Sequence, residues 1–275
     1  MEHNFERLIR FESDDGTTLY GDVTDAAAVC SLVGATVTVL DGNLESGFTK
    51  TTRTATVRKM CCMAGLTQCR LGPLAIASCA LFRVHRPQLQ ATCRGSKRKC
   101  ARAEEPRFRD ASAPSDSSQL AIADNPDVSA QDALDHVLGY CNCNDVSARS
   151  LQMPASVSGG QFSFCKSFDG FAPIGPVIAS PGVVDDPQAL ALVTRVNGEQ
   201  RQASTTADMI WSVRQLIAFA SQGTTLKRGT LIMTGTPSGV GLFMEPRTFL
   251  KDGDVVEVSF DGLGTLRNTM QFQSK

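Results

Sequence analysis

The chain has 275 residues, 42% hydrophobic and 20% charged, with a formal net charge of -1. That length holds one large domain, or one domain with a small appendage, and the composition excludes wholesale disorder. A charge balance this close to zero supplies no global field for nucleic acid. No window reaches the ~18 consecutive apolar residues of a membrane-spanning helix, and the longest candidate, Leu71 to Phe82, is interrupted by Gly72, Pro73 and Ser78.

The start of the chain, Met1-Glu2-His3-Asn4-Phe5-Glu6-Arg7, carries acids where a targeting segment is basic or apolar, so a cytoplasmic location is expected. Short strands with strong turn punctuation follow. Leu8-Ile9-Arg10-Phe11-Glu12 runs into Asp14-Asp15-Gly16, and Thr36-Val37-Thr38-Val39-Leu40 alternates ahead of Asp41-Gly42, a favoured hairpin turn. Residues 1–57 are read as a small β-rich N-terminal unit.

From 58 to 125 the apolar periodicity vanishes. Six of the ten cysteines (Cys61, Cys62, Cys69, Cys79, Cys93 and Cys100) crowd there, with no Cys-x-x-Cys pair and no His pair at zinc spacing, so free thiols are expected. Arg83, Arg86, Arg94, Lys97, Arg98, Lys99, Arg102, Arg107 and Arg109 face only Glu104 and Glu105 as nearby acids, and a Ser-Pro-Asp-rich run from Ala111 to Ser118 resembles a linker.

Order returns near Ser129, where Ser129-Ala130-Gln131-Asp132 resembles a helix cap. Ala133, Leu134, Val137 and Leu138 then share one face before Gly139, which predicts a short amphipathic helix. A second helix is predicted from about Thr205 and Asp208, with Met209, Ile210, Val213, Leu216, Ile217 and Ala220 on one stripe ending at Gly223. Leu231-Ile232-Met233 reads as a short buried strand opening into Thr234-Gly235-Thr236-Pro237-Ser238-Gly239-Val240-Gly241, a glycine-rich loop without the Gly-Lys-Ser/Thr ending of a nucleotide P-loop. At the tail, Val256, Val258 and Phe260 share one face, Asp261-Gly262 turns, and Leu266, Asn268, Met270 and Phe272 alternate after it.

The densest cluster of reactive side chains is Asn144-Asp145-Val146-Ser147-Ala148-Arg149-Ser150-Leu151-Gln152, followed by Lys166-Ser167-Phe168-Asp169-Gly170-Phe171. A carboxylate, a guanidinium, an amide and an amine this close along a loop-rich segment could converge on an anionic substrate held through a hard cation. Spacing alone favours a local ion pair between Asp145 and Arg149 with Lys166 in water.

Asn-Asp-Val-Ser-Ala-Arg at 144–149, Gln152, Lys166-Ser-Phe-Asp-Gly-Phe with Pro173 and Gly175-Pro176, and Met233-Thr-Gly-Thr-Pro-Ser-Gly-Val-Gly through 241 together resemble the fumarylacetoacetate hydrolase family. Val196-Asn197-Gly198-Glu199 and Leu250-Lys251-Asp252-Gly253-Asp254 agree, and Phe11-Glu12-Ser13 to Phe48-Thr49-Lys50 is similar to the leading unit of fungal-type members, so that about 1–57 and 126–275 are covered. The resemblance implies an α+β, mainly β fold, a mixed β-sandwich roll over 126–275 behind the small N-terminal unit, usually dimeric. It also implies Mg²⁺, or a similar cation such as Mn²⁺ or Ca²⁺, chelating a 2-oxo acid or β-diketone. The implied reactions are carbon–carbon hydrolysis, decarboxylation or keto–enol isomerisation through a metal-stabilised enolate. Carried over by position, Asp145 would be a metal ligand, Lys166 would hold the substrate carboxylate or enolate charge, and Arg149 and Gln152 would shape and polarise the pocket. Gly235 and Thr236 would bind substrate, and Asp169 would orient Lys166. Asp145→Ala and Lys166→Ala would each abolish activity with little loss of folding.

The chain also departs from that family, whose members carry a Glu-x-Glu pair of metal ligands and an upstream lid with a His and a Glu that activate water. Here Ser118-Gln119-Leu120 runs into Ala121-Ile122-Ala123-Asp124-Asn125-Pro126-Asp127, and His3, His85 and His136 are each read as bystanders. The composition of 58–125 is that of a coding region read in the wrong frame or across an unremoved intron. Two further readings stand beside the enzyme: a non-catalytic relative with a structural or interaction role, and, most weakly, a nucleic-acid contact through Arg94 to Arg109.

Overall fold

A computed structural model describes residues 4–44, 46–61, 111–112, 115–121 and 127–272, with backbone alone for 111–112 and 115–121. The cysteines from Cys62 to Cys100, the cationic run from Arg83 to Arg109, the apolar stretch 71–82, and His3, His85 and Asp124 lie outside the described residues.

Strand β1 (Arg7–Ser13) buries Leu8, Ile9 and Phe11 and turns through Asp14-Asp15-Gly16 into β2 (Thr18–Asp22). In that turn the Asp15 carboxylate accepts from the Ser13 hydroxyl and from the Thr17 N–H at 3.0 Å, bonds that hold its carboxyl below the usual range. Asp22 is buried, accepting from the N–H groups of Glu6 and Arg7 at 2.8 and 3.0 Å and pairing with Lys50 at 2.8 Å. Strands β3 (Thr36–Asn43) and β4 (Gly47–Met60) follow, and β4 returns to pair with β1, so these four strands roll onto themselves around Ile9, Phe11, Val37 and Val57.

The expected Asp41-Gly42 turn is instead inside the β3–β4 ladder, Asp41 opposite Thr49 and Gly42 opposite Phe48. The ladder runs on to the Asn43–Gly47 pair, beside which the Asn43 side chain accepts from Ser46 N–H at 2.8 Å. Gly42 answers a different need, because a Cβ there would lie 2.1 Å from the Gly47 carbonyl oxygen.

The Ala111 to Ser118 run, expected as a linker, contains β5 (Ala111–Ser112) and the start of β6 (Ser115–Ala121). The predicted helix from Ser129 is a single 3-10 turn at Ala133–His136, after which Val137, Leu138 and Gly139 open β7 (Val137–Asn144). Every residue of β7 is buried, with β6 on one side and β9 (Ile174–Ala179) on the other. Two ladders outweigh the helical spacing of four apolar residues, since a helix of about ten residues is marginal in isolation. Gly139 is needed where β7 crowds β9: a Cβ would meet the Ala179 carbonyl oxygen at 2.6 Å.

β8 (Ser147–Ala148) pairs with β5 and leads into α1 (Arg149–Gln152) and α2 (Ala155–Ser158). A second sheet holds β10 (Ala191–Val196), β11 (Glu199–Thr205), β13 (Val255–Phe260) and β14 (Gly264–Thr269), in the order β11-β10-β13-β14. The first sheet runs β12-β6-β7-β9-β1-β2-β3-β4, with β12 at Thr230–Met233. Strand β1 pairs with β9, so the leading residues share one sheet with the second half of the chain.

The tail alternates as expected, with Val256, Val258 and Phe260 buried against Val137, Tyr140, Val213 and Ile217. Asn142 ties the two sheets together, donating to the carbonyls of Val258 at 3.2 Å and Gly264 at 2.9 Å. The second predicted helix begins later than its stripe: Thr206–Asp208 is a 3-10 turn, and α3 spans Val213–Ala220. Its start is set by a capping box, Ser212 Oγ accepting from Gln215 N–H and Gln215 Oε1 from Ser212 N–H. Ile210, placed on the stripe by periodicity, is exposed, as is its neighbour Trp211. Among the described residues no helix is long and apolar enough to cross a membrane.

Tyr140 sits between the sheets, and burial pushes its phenol up to about 12 from 10.0, with Arg214 opposing and Asp186 adding to the shift. The folded state therefore holds this proton more tightly than the unfolded chain. The stability so contributed is complete below the ordinary value and is lost as pH rises through about 12. Urea midpoints followed from neutral pH upward should fall more steeply for the wild type than for Tyr140→Phe, and parallel curves would overturn the assignment.

Candidate active site

The buried strand β7 delivers Asp145 directly from its last residue. Asn144 N–H donates to the Pro173 carbonyl at 3.1 Å and Val146 N–H to the Asn144 carbonyl at 2.9 Å, which turns the chain away from the sheet. Ser147 Oγ donates to the Asp145 carbonyl at 3.2 Å. Asp145, Arg149 and Gln152 are all buried, at 8%, 5% and 3% exposure, unusual for two charged residues on a turn and one short helix.

Lys166 closes a 3-10 turn at Phe164–Lys166 that packs against α1 and β8. Its ammonium pairs with Asp145 Oδ2, both side chains nearly out of solvent at 9% and 12% exposure. Arg149 Nη1 donates to Gln152 Oε1 one helical turn on. Lys166 is therefore paired with Asp145 and not left in water. Asp169, expected to orient Lys166, is exposed, and the carboxylate beside Lys166 is Asp145. Burial pushes the Cys165 thiol up, with Lys166 and Arg149 opposing the shift and Asp145 adding to it.

Gly235 and Thr236 reach the same end of the first sheet by topology. β6 is antiparallel to both β7 and β12, so these two run parallel and their C-terminal ends leave on one side, about 10 Å apart across β6. Met233 lies opposite Ser118 and Asn144 opposite Ser115, so the residues after Met233 head toward the level of Asp145. Gly235 and Gly239, each at φ +108°, let this loop turn back.

Sequence reasoning missed Gln202. It is the one buried residue of β11, its amide nitrogen donating to Thr236 Oγ1 at 2.9 Å and to the Pro237 carbonyl at 3.1 Å. Its signal was available: a polar residue at the inward position of a strand, paired with a second buried polar residue, Thr194. Asp127, one of the acids nearest the missing Glu-x-Glu position, is a structural clasp, accepting from Gly223 N–H at 2.8 Å.

A hard divalent cation requires several oxygen ligands. Among the described residues there is no group of three or more His, Cys, Asp or Glu able to hold one. Beside Asp145 stands an ammonium, and β6, the strand next to β7, reads Ser115-Asp116-Ser117-Ser118-Gln119-Leu120-Ala121 without a Glu-x-Glu. The described residues do not fit a divalent cation at Asp145. A cavity of about 310 Å³ between Cys30, Arg195 and Asp261 lies apart from all of these residues.

Residues 122–271 match the family model described as fumarylacetoacetate (FAA) hydrolase C-terminal. Over 141 residues the chain is 45% identical to the oxaloacetate tautomerase YisK of Bacillus subtilis, covering 51% of this chain and 46% of that protein. Its structure is similar to that of 2-hydroxyhepta-2,4-diene-1,7-dioate isomerase from Mycobacterium marinum, with a TM-score of 0.70 and 26% identity over 98% of this chain and 100% of that one. It is also similar to fumarylpyruvate hydrolase from Pseudomonas aeruginosa in complex with Mn²⁺ and pyruvate, with a TM-score of 0.54 and 30% identity over 60% and 67% of the two chains. The chain spans about half the length of the curated relatives it matches.

Proposed function

The chain belongs to the fumarylacetoacetate hydrolase family, and from that premise we propose that its site binds a 2-oxo acid and interconverts its keto and enol forms. The observation that carries this is the buried Lys166–Asp145 pair, set beside Arg149 at the sheet end toward which the Thr236 loop runs. Cations held out of water act strongly on an anion and need no reorganisation as charge develops.

In this reading Arg149, braced by Gln152, and Thr236 hold the substrate carboxylate, and Gly235 lets the loop backbone approach it. Lys166 faces the oxo oxygen. A proton leaves the carbon next to the carbonyl, its electron pair forms the C=C bond, and the oxo oxygen becomes an enolate stabilised by the ammonium, which then protonates it. Asp145, against the same ammonium, is the carboxylate available to accept the carbon proton, and passing that proton to Lys166 restores both groups. Isomerisation asks less of these residues than hydrolysis or decarboxylation, since no water is activated and no carbon–carbon bond breaks. The relative named an oxaloacetate tautomerase supports that choice. Substrate is thus a small oxo acid, with the cytoplasm and a homodimer as the proposed setting.

Enol–keto interconversion of oxaloacetate, followed by ultraviolet absorbance, tests this. A saturable rate above the uncatalysed one is expected. Calorimetric titration with Mg²⁺ and Mn²⁺ is the second arm, and no saturable site is expected from Asp145 with its described neighbours. A protein that neither accelerates the reaction nor binds pyruvate would favour the second reading, a relative that keeps the fold without the chemistry.

A further inference from the structure

The Gln202 amide approaches Thr236 Oγ1 at 2.9 Å and the Pro237 carbonyl oxygen at 3.1 Å through the same nitrogen. An amide can be placed either way round, but here the choice is fixed chemically. A carbonyl oxygen only accepts, so the atom facing Pro237 is the nitrogen, and the same nitrogen therefore faces Thr236. A hydroxyl that accepts from this N–H cannot give its own proton back to it. The Thr236 proton must go elsewhere, and no other bond of that hydroxyl forms among the described residues.

We infer that Gln202 is a positioning residue that sets the polarity of the Thr236 hydroxyl. By engaging the oxygen as an acceptor it leaves the O–H as a donor for the carboxylate of the bound oxo acid. This deepens the reading above and rests on it. The position is built for the purpose: Gln202 is 2% exposed, and nothing about strand pairing requires an amide there. β11 is an edge strand, and Arg201, the residue before Gln202, is the extra residue of a bulge between the Thr194–Gln202 and Arg195–Gln200 pairs. A bulge re-aims the residues around it, and this one faces the Gly235–Gly239 turn, where Gly239 approaches the Arg201 carbonyl closely.

The test uses the full chain, pyruvate as a binding probe in calorimetry, and oxaloacetate in steady-state kinetics. Gln202→Met removes the donor at similar volume and should weaken pyruvate binding and raise KM by about tenfold to a hundredfold, the range for one hydrogen bond to a charged group. The turnover number should change far less. Gln202→Glu should be worse, because a carboxylate accepts and would turn the Thr236 proton onto itself. Thr236→Ser, which keeps the hydroxyl, should retain affinity, and Thr236→Val should lose it.

The deciding measurement is the double variant. If Gln202 acts through Thr236, adding Gln202→Met to Thr236→Val costs little more affinity; a residue that merely supports the fold would cost the same in either background. Additive losses, or Gln202→Met with wild-type KM, would overturn the inference while leaving the family function standing. Failure of that function shows separately, in a wild-type protein that does not bind pyruvate, and would remove the inference with it.

Discussion

Lys166→Met is expected to abolish activity and to destabilise the protein at the same time. Its ammonium and the Asp145 carboxylate bury each other, at 9% and 12% side-chain exposure, so either single truncation strands a charge in a poorly solvated place. Breaking a buried pair from one side costs about 3–5 kcal/mol, and Asp145→Asn should cost a comparable amount by stranding the ammonium. The double variant carries no charge at either position and should recover most of that stability. Activity should not recover, because removing one preorganised group at a developing oxyanion costs on the order of a hundredfold to a thousandfold by itself. Urea midpoints together with kcat/KM on the four proteins make the measurement. Single variants as stable as the wild type would mean that the pair is solvated in solution, and recovered activity in the double variant would remove Lys166 from the chemistry. The expectation that Asp145→Ala and Lys166→Ala spare the fold is thereby revised: it treats the two as independent site residues, and the structure makes each the other's counter-ion.

Much of the fold is legible wherever one residue type has one physical outcome. The alternation of Val256, Val258 and Phe260, the Asp14-Asp15-Gly16 turn and the strand ending at Met233 are all found where they are expected, although that strand is half-buried and not buried. The failures share a cause. Ala133, Leu134, Val137 and Leu138 satisfy a helical period, yet Val137 onward is the central strand, because pairing with β6 and β9 depends on residues far away in sequence. Asp41-Gly42 has the chemistry of a turn, but its glycine answers a close approach by Gly47 across a ladder. The late start of α3 was written in Ser212 and Gln215, whose capping box is a more local signal than the apolar stripe that runs through it.

The site divides in the same way. Asp145, Arg149, Gln152 and Lys166 were legible as a cluster because they are near in sequence and resemble a family motif. The partner of Lys166 was not legible, since Asp145 and Asp169 are both within reach along the chain and only burial chooses between them. The contact between Gln202 and Thr236 was not legible for the opposite reason. Gln202 lies 34 residues before Thr236, and only the packing of an edge strand against a loop joins them.

That packing makes Gly239→Ala the second severe substitution. Gly239 has φ +108°, where an L side chain is strained, and a Cβ would fall 2.1 Å from the Arg201 carbonyl oxygen and 2.8 Å from Gln202 Cγ. The near atom is backbone, and it sits in a bulge whose flanking residues are held by β10, so β11 cannot easily retreat. The loop must move instead. Strain and overlap together should cost about 2–5 kcal/mol, a fall in Tm on the order of 5–15 °C. Displacing the loop also pulls Thr236 and Pro237 from Gln202, so binding should fail along with stability. The contrast with Gln202→Met is what makes the measurement informative. There one hydrogen-bond donor is lost and KM rises with the loop still seated; here the seat itself is lost, and Tm, KM and kcat all suffer. Calorimetric melting and steady-state kinetics on Gly239→Ala separate the two cases. A variant with wild-type Tm and KM would show that the loop does not rest on the β11 bulge in solution, and the Gln202–Thr236 contact would fall with it.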